Sequence, residues 1–249
     1  MKITSWNCNG GFRNKLSEID KLNSDVLVIQ ECENPAESTK AYRDWAGEYL
    51  WVGDNKNKGI GVFPKNGNKV SSLDWEGSFS LKGISSKSEN LNWSSSSLRL
   101  FLPFKINENI CVLGVWTKGS DSEVFGYIGQ LWKYIQIHRD NLSSDEQLII
   151  GDLNSNKIWD KADRWWSHSD VVLELEEIGL VSLYHHKFNE DQGSESKPTF
   201  YLQKNENKPY HIDYAFVAKK YLNGSIEVGD KDRWLQFSDH MPIEIGLYS

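Results

Sequence analysis

The sequence predicts an α/β sandwich, two packed β-sheets with helices on the outside. Three observations carry this. Residues 25–31 and 147–150 are almost wholly apolar, as strands buried on both faces must be. Between such strands lie segments whose apolar residues recur at helical spacing. The two halves of the chain also share one outline: an apolar strand, an Asn- or Asp-bearing end, then a helix. No short-period repeat accompanies this likeness.

In order, residues 3–8 read as a strand. Residues 14–22, with Leu16, Ile19 and Leu22 on one face, read as an amphipathic helix. The strand 25–31 follows, and Pro35 starts a second helix that runs to about Gly47. Residues 49–52 and 59–63 are short strands. The middle is strand-rich: 70–73, 78–84, 97–104 and 110–116 alternate or run apolar, with Asn107-Glu108-Asn109 as a hairpin turn. A long helix fills 122–138, with Val124, Tyr127, Ile128, Leu131, Tyr134 and Ile135 on one face. The buried strand 147–150 ends at Gly151-Asp152. Residues 171–178 form a helix with Gly179 as its C-cap. Residues 199–202, 212–217, 226–228 and 241–247 are the remaining strands.

A chain of 249 residues suffices for one large domain, 1–249, and no Pro/Gly/Ser tract marks a linker. It opens strand-like, with no secretory pattern, and no run approaches the roughly 18 apolar residues of a membrane helix. Cys8, Cys32 and Cys111 are few and odd in number, which fits a reduced, cytoplasmic protein. Cys8 and Cys32 read as small apolar fillers of buried strands rather than ligands. The net charge of −7 argues against a protein that coats nucleic acid by bulk attraction. A local basic rim remains open to it: 53–69 carries Lys56, Lys58, Lys65 and Lys69 against Asp54 alone, although a solvated loop would look the same.

The functional signal lies in polar motifs at the ends of apolar runs. These are Ser5-Trp6-Asn7-Cys8-Asn9-Gly10, Gln30-Glu31, Gly151-Asp152-Leu153-Asn154, His211-Ile212-Asp213-Tyr214 and Ser238-Asp239-His240. Together they offer hard carboxylate oxygens for Mg²⁺ or Mn²⁺, neutral amides for phosphate oxygens, and one imidazole. Each has an ordinary alternative. Glu31 is solvated at a strand mouth or holds a cation. Asp152 and Asn154, two apart, face one point if extended, or form an Asx-turn. Asp213 is a cap or a partner that orients a histidine. Asp239 is a cap and His240 a surface residue, unless both serve the site.

In this order and spread, the motifs resemble the endonuclease/exonuclease/phosphatase superfamily, which includes deoxyribonuclease I, exonuclease III, tyrosyl-DNA phosphodiesterases and inositol polyphosphate 5-phosphatases. The likeness spans the chain and is specific for the superfamily, not for a substrate. It implies a four-layer sandwich of two mixed sheets packed face to face, with the site at the strand ends between them. By it, Glu31 would be the principal Mg²⁺ ligand, assisted by Asn7 and Asp239, with Mn²⁺ as a possible substitute. Asp152 would align or deprotonate the attacking water, Asn154 would hold a non-bridging phosphate oxygen, and His240, oriented by Asp213, would stabilise charge on phosphorus. In-line attack on a phosphodiester needs these same functions. Asn9 resembles the exonuclease III arrangement.

One departure stands out. Where many members carry His or Tyr, this chain has Trp116-Thr117-Lys118, and an indole cannot transfer protons as imidazole or phenol does. Leaving-group protonation then falls to a metal-bound water, or Lys118 contacts phosphate. Trp159, Trp165 and Trp166 follow the Asp152 motif closely; aromatics there either pack or stack on a base. The expectation is a monomeric, Mg²⁺-dependent hydrolase of nucleic acid that does not act at a membrane. The alternatives are hydrolysis of a small or lipid-linked phosphate ester, and an inactive binding module on the same fold.

Overall fold

The computed structural model describes residues 1–81, 91–119 and 124–248. The chain opens with β1 (Lys2–Asn7), α1 (Leu16–Asp20), β2 (Val26–Cys32), α2 (Lys40–Ala46), β3 (Leu50–Asn55) and β4 (Lys58–Pro64). Next come β5 (Val70–Ser72), β6 (Ser78–Ser80), β7 (Asn92–Ser94), β8 (Phe101–Ile106), β9 (Ile110–Trp116) and the long α3 (Ile128–Leu142). The last part holds β10 (Gln147–Asp152), α4 (His168–Glu177), β11 (Leu180–Ser182), α5 (Leu183–Phe188), β12 (Phe200–Tyr201), β13 (Pro209–Tyr210), β14 (Asp213–Ala218), β15 (Ser225–Val228), α6 (Lys231–Trp234) and β16 (Ile243–Gly246).

Two six-stranded mixed sheets result, ordered β15-β16-β1-β2-β4-β3 and β11-β14-β10-β9-β8-β5. Each holds one parallel pair at its centre, β1 with β2 and β9 with β10, flanked by antiparallel neighbours. A parallel pair needs a crossover, which α1 and α3 supply. The two central pairs face each other across the sandwich. β2 shows why its sequence is apolar throughout: Val26 and Val28 enter the core between the sheets, while Leu27 and Ile29 pack outward with Phe12, Ile19, Tyr42 and Phe63. Each such buried side chain contributes about 1.5–3 kcal/mol. At Gly114 a Cβ would stand 3.2 Å from Val28 Cγ1, so glycine lets the sheets approach. Helices α1, α2 and α6 cover the outer face of the first sheet, and α3 and α4 pack on the second. This is the expected four-layer sandwich.

Several elements depart from the sequence reading. The helix expected over 35–47 is a 3-10 turn, Pro35–Glu37, then α2, because Ser38 is extended and Thr39 caps a fresh helix by accepting from Tyr42 N. The helix expected over 122–138 starts at Ile128 and runs four residues further; Tyr127 adopts a left-handed φ of 51° and cannot lead into it. Residues 122 and 123 lie outside the described residues, as do 82–84 of the strand expected over 78–84. The stretch 97–104 begins with a 3-10 turn, Ser95–Ser97, and becomes strand only at Phe101. Of the lysines in 53–69, Lys58 lies in β4, while Lys56 sits in the turn between β3 and β4 and Lys65 and Lys69 follow β4. Helices α5 and α6 were not expected; both are too short to show a period. Cys8 and Cys32 are buried fillers, and burial pushes the Cys32 thiol up to about 12. No described helix is long and apolar enough to cross a membrane.

Candidate active site

The motif-bearing strand ends meet at one rim of the sandwich. β10 and β14 are antiparallel neighbours, and their register sets Asp152 directly opposite Asp213. Like charges so placed repel, and an imidazole lies between them. His240 Nδ1 is 3.0 Å from Asp213 Oδ2, and its Nε2 is 3.9 Å from Asp152 Oδ2. The histidine is fixed from behind: Trp6 Nε1 donates to its carbonyl, its own N–H donates to Ser238 Oγ, and the Phe200 ring packs against it, tilted, at 4.6 Å between centroids. Asp213 is thus the partner of a histidine rather than a cap.

Asp152 is fully buried, yet both oxygens are held. Oδ2 accepts from Asn7 Nδ2 at 2.8 Å and from Asn154 Nδ2 at 2.9 Å, and Oδ1 accepts from Asn154 N at 2.8 Å. The last bond is an Asx-turn, so of the two readings of this motif the turn holds and the extended one does not. Asn154 reaches Asp152 through a left-handed φ of 43°, not through strand alternation. Gly151, with φ of 149°, admits no other residue: a Cβ would lie 1.9 Å from Val115 O. Burial raises the Asp152 carboxyl to about 7, aided by Asp213 and opposed by His240 and the amide donors. For His240, burial disfavours the charged ring, but Asp213 and Asp152 outweigh it and raise the imidazole to about 9.

Glu31 arrives by a different device. Gln30 opposes Ile60 and Cys32 opposes Gly59, so Glu31 is the extra residue of a β-bulge with φ of 60°. A left-handed glutamate costs roughly 1–2 kcal/mol, and bulges of this kind re-aim side chains beside active sites. Here the carboxylate meets Asn7 Nδ2 at 3.3 Å and forms an ion pair with Lys58. Asn7 is oriented by accepting from Asn9 N at 3.0 Å, and so turns its N–H groups on Glu31 and Asp152. Glu31 offers a hard divalent cation a partly exposed carboxylate, now paired with the Lys58 ammonium; the neighbouring Asn7 amide would have to turn its oxygen, which accepts from Asn9 N, to join it. Asp239 adds its charge to those that raise His240. Ser238 Oγ reaches Asp239 at 3.5 Å, and no hydrogen bond joins it to Glu31 or Asn7 among the described residues. A second cluster, Asp152, Asp213 and His240, has ligand atoms within 4.8 Å of one another. Its oxygens are already committed to N–H donors.

The amide of Asn154 is also committed, donating to Asp152 and, at 3.0 Å, to Thr117 O. Asn9 serves Asn7 through its backbone. Trp116 is buried, with Lys118 Nζ 5.4 Å from its ring, and both line a cavity of about 570 Å³ with Arg99, Phe101 and Lys133. The three neighbouring tryptophans differ: Trp166 is buried on Phe125, Trp165 lies against Trp166, and Trp159 is 46% exposed beside Tyr210.

The sequence reading missed three supporting residues. Thr199 Oγ1 accepts from Ile212 N and Asp213 N, which fixes the start of β14. Thr117 accepts the Asn154 amide on its carbonyl. Asn156 Nδ2 contacts His211 O, Tyr214 Oη and Glu195 Oε2 at 2.9–3.0 Å. Only Asn156 carried a signal, as a second Asn two after Asn154.

The fold has known counterparts. The structure is similar to a 3′-5′ exonuclease, NExo, from Neisseria meningitidis (TM-score 0.69, 18% identity, all of both chains covered). It is also similar to an AP endonuclease from Archaeoglobus fulgidus (TM-score 0.65, 16% identity, all of both chains). A further similar structure is the 3′ phosphatase NExo from Neisseria bound to a product DNA hairpin (TM-score 0.69, 17% identity, all of both chains). No curated protein sequence matches the chain. The model of the Endonuclease/Exonuclease/phosphatase family, whose members hydrolyse phosphate esters and diesters, matches residues 4–240, from the strand that ends in Asn7 to the histidine between the two aspartates. The chain belongs to that family.

Proposed function

We propose that this chain is a divalent-metal-dependent nuclease that hydrolyses phosphodiester bonds by in-line attack of water. The observation that carries the reading is the buried Asp152–His240–Asp213 arrangement, in which paired charges, working against burial, hold a carboxylate base and an imidazolium side by side. Asp152 takes a proton from water as the new O–P bond forms, and His240 neutralises charge on the non-bridging oxygens as the opposite P–O bond breaks and the leaving oxygen takes a proton from solvent. Asp213 keeps the imidazole charged and oriented. Asn7 and Asn154 hold Asp152. If Asn154 also binds a phosphate oxygen, one of its two amide bonds must be released. A divalent cation held by Glu31, with Asn7 and Asp239, would supply further charge neutralisation at the phosphate.

A polymeric substrate is favoured by the flanks of the site. The cavity lined by Trp116 and Lys118, on either side of the Thr117 that holds Asn154, brings Arg99 and Lys133 together against Asp54 alone, a local cationic path in a chain of net charge −7. The test is a panel of single-stranded DNA, duplex DNA, abasic DNA and RNA, with a phosphomonoester beside it, each with Mg²⁺, Mn²⁺ or chelator. Metal-dependent release of nucleotides supports the reading. Phosphate release from the monoester alone would assign the site to a phosphatase.

A further inference from the structure

We infer that the cleft beside Asn154 is a subsite for one unpaired base of the substrate strand, with Trp159 as its stacking surface and Lys161 and Arg164 as contacts for a neighbouring phosphate. This rests on the nuclease reading and adds to it what the site accepts. The cleft has a volume of about 480 Å³ and opens onto Asn154, within the range of about 300–1,000 Å³ typical of small-molecule sites. Of the eight exposed large apolar side chains among the described residues, three line this one cleft: Tyr127, Trp159 and Leu202. An apolar concentration of this kind at a polar site marks a surface that is covered when occupied.

Trp159 is held ready. It closes the 3-10 turn Lys157–Trp159, which is capped by Asn156 Oδ1 accepting from Ile158 N. The same Asn156 is tied into the buried polar network at His211, Tyr214 and Glu195. Ser155, just before it, bonds His168 Nδ1 at 3.3 Å. One side of the indole rests near Tyr210, with ring centroids 5.1 Å apart. The turn therefore cannot fold the ring into the core, and nearly half of it stays exposed. A fixed, open aromatic face is what sequence-tolerant base stacking requires.

The charge on this side points the same way. Lys161 and Arg164 make no ion pair among the described residues. Two acids adjoin them in sequence. Asp160 is spent on the start of α4, accepting from His168 N at 2.8 Å and Ser169 N at 3.2 Å, and Asp163 is ion-paired with neither cation among the described residues. Two cations without an ion pair beside an aromatic face match a base with its phosphate.

The test compares two short single strands in an Asp152→Asn background, identical except that the residue next to the cleaved bond carries a base or is abasic, by fluorescence anisotropy. The base-bearing strand should bind about tenfold more tightly. Trp159→Ala should remove that preference, Trp159→Phe should restore most of it, and Arg164→Glu should weaken both strands. An unchanged preference in Trp159→Ala, or equal binding of both strands in the parent, overturns the subsite. If the intact enzyme hydrolyses neither strand with Mg²⁺ or Mn²⁺, the nuclease reading falls instead, and the subsite with it.

Discussion

Replacing Asp213 with asparagine keeps the shape of the side chain and removes one charge. His240 Nδ1 sits 3.0 Å from Asp213 Oδ2. At an effective dielectric of ~20 their attraction is about 5 kcal/mol. Burial opposes it. The net effect, with Asp152 contributing, lifts the imidazole from 6.5 to about 9, worth about 3 kcal/mol in favour of the charged ring. Without Asp213, burial dominates and the imidazole should titrate near or below its ordinary value. At pH 8 the charged fraction then falls from about nine-tenths to a few per cent, ~30-fold. Loss of the ring's orientation makes the expected fall in turnover about a hundredfold. The sign for stability follows from linkage: a raised histidine stabilises fully below pH 6.5 and loses its contribution as pH rises through about 9. The stability gap between parent and variant should therefore close from pH 6 to pH 10. NMR titration of His240 in metal-free protein, with turnover measured at pH 8, is the assay. An imidazole still titrating near 9 in Asp213→Asn, or turnover within about threefold of the parent, would refute the reasoning.

Asn156→Ala strips donors from His211 O, Tyr214 Oη and Glu195 Oε2; a loss of about 2–3 kcal/mol should lower Tm by about 5–10 °C, and an unchanged calorimetric Tm would contradict this. Glu195 is held down to about 2: burial opposes its ionisation, but bonds from His185, Gly193 N and Asn156 prevail. Its contribution to stability is present above pH 4.5 and lost as pH falls through about 2, so Glu195→Gln should flatten the acid limb of stability in urea melts between pH 6 and 3. Lys58→Ala removes the ammonium that competes for the Glu31 carboxylate, so calorimetry should show several-fold tighter binding of Mn²⁺; weaker binding would mean that Lys58 supports the cation.

The sequence made the fold legible where burial is two-sided. β2 and β10 stand out because both of their faces are apolar, and their polar ends mark the site. The motifs identify Asp152, Asp213 and His240 by residue type, and the structure adds that Asp152 and Asp213 are cross-strand neighbours, a fact of register that no local pattern carries. The bulge at Glu31 was invisible for the same reason: its left-handed φ is imposed by pairing between distant strands. Helix ends were misplaced where the backbone turns left-handed at a residue with no intrinsic preference for it, as at Tyr127. Thr199 went unnoticed because its hydroxyl binds backbone N–H groups 13 and 14 residues away, beyond the reach of capping patterns. Asn156 was legible only as a repeated residue type; the network it joins is assembled from the start of β14 and the loop after α5.

The central claim is that Asp152 is the base, held unsolvated by two asparagines and balanced by His240. Single-turnover cleavage by Asp152→Asn, with binding measured separately, tests it most directly. The variant keeps the size and hydrogen-bonding reach of the side chain but loses the charge and the basic oxygen. The account predicts cleavage slower by several orders of magnitude, with substrate bound as tightly as by the parent or more tightly, because repulsion between carboxylate and phosphate is relieved. Near-normal cleavage by Asp152→Asn would contradict it and remove Asp152 from the chemistry.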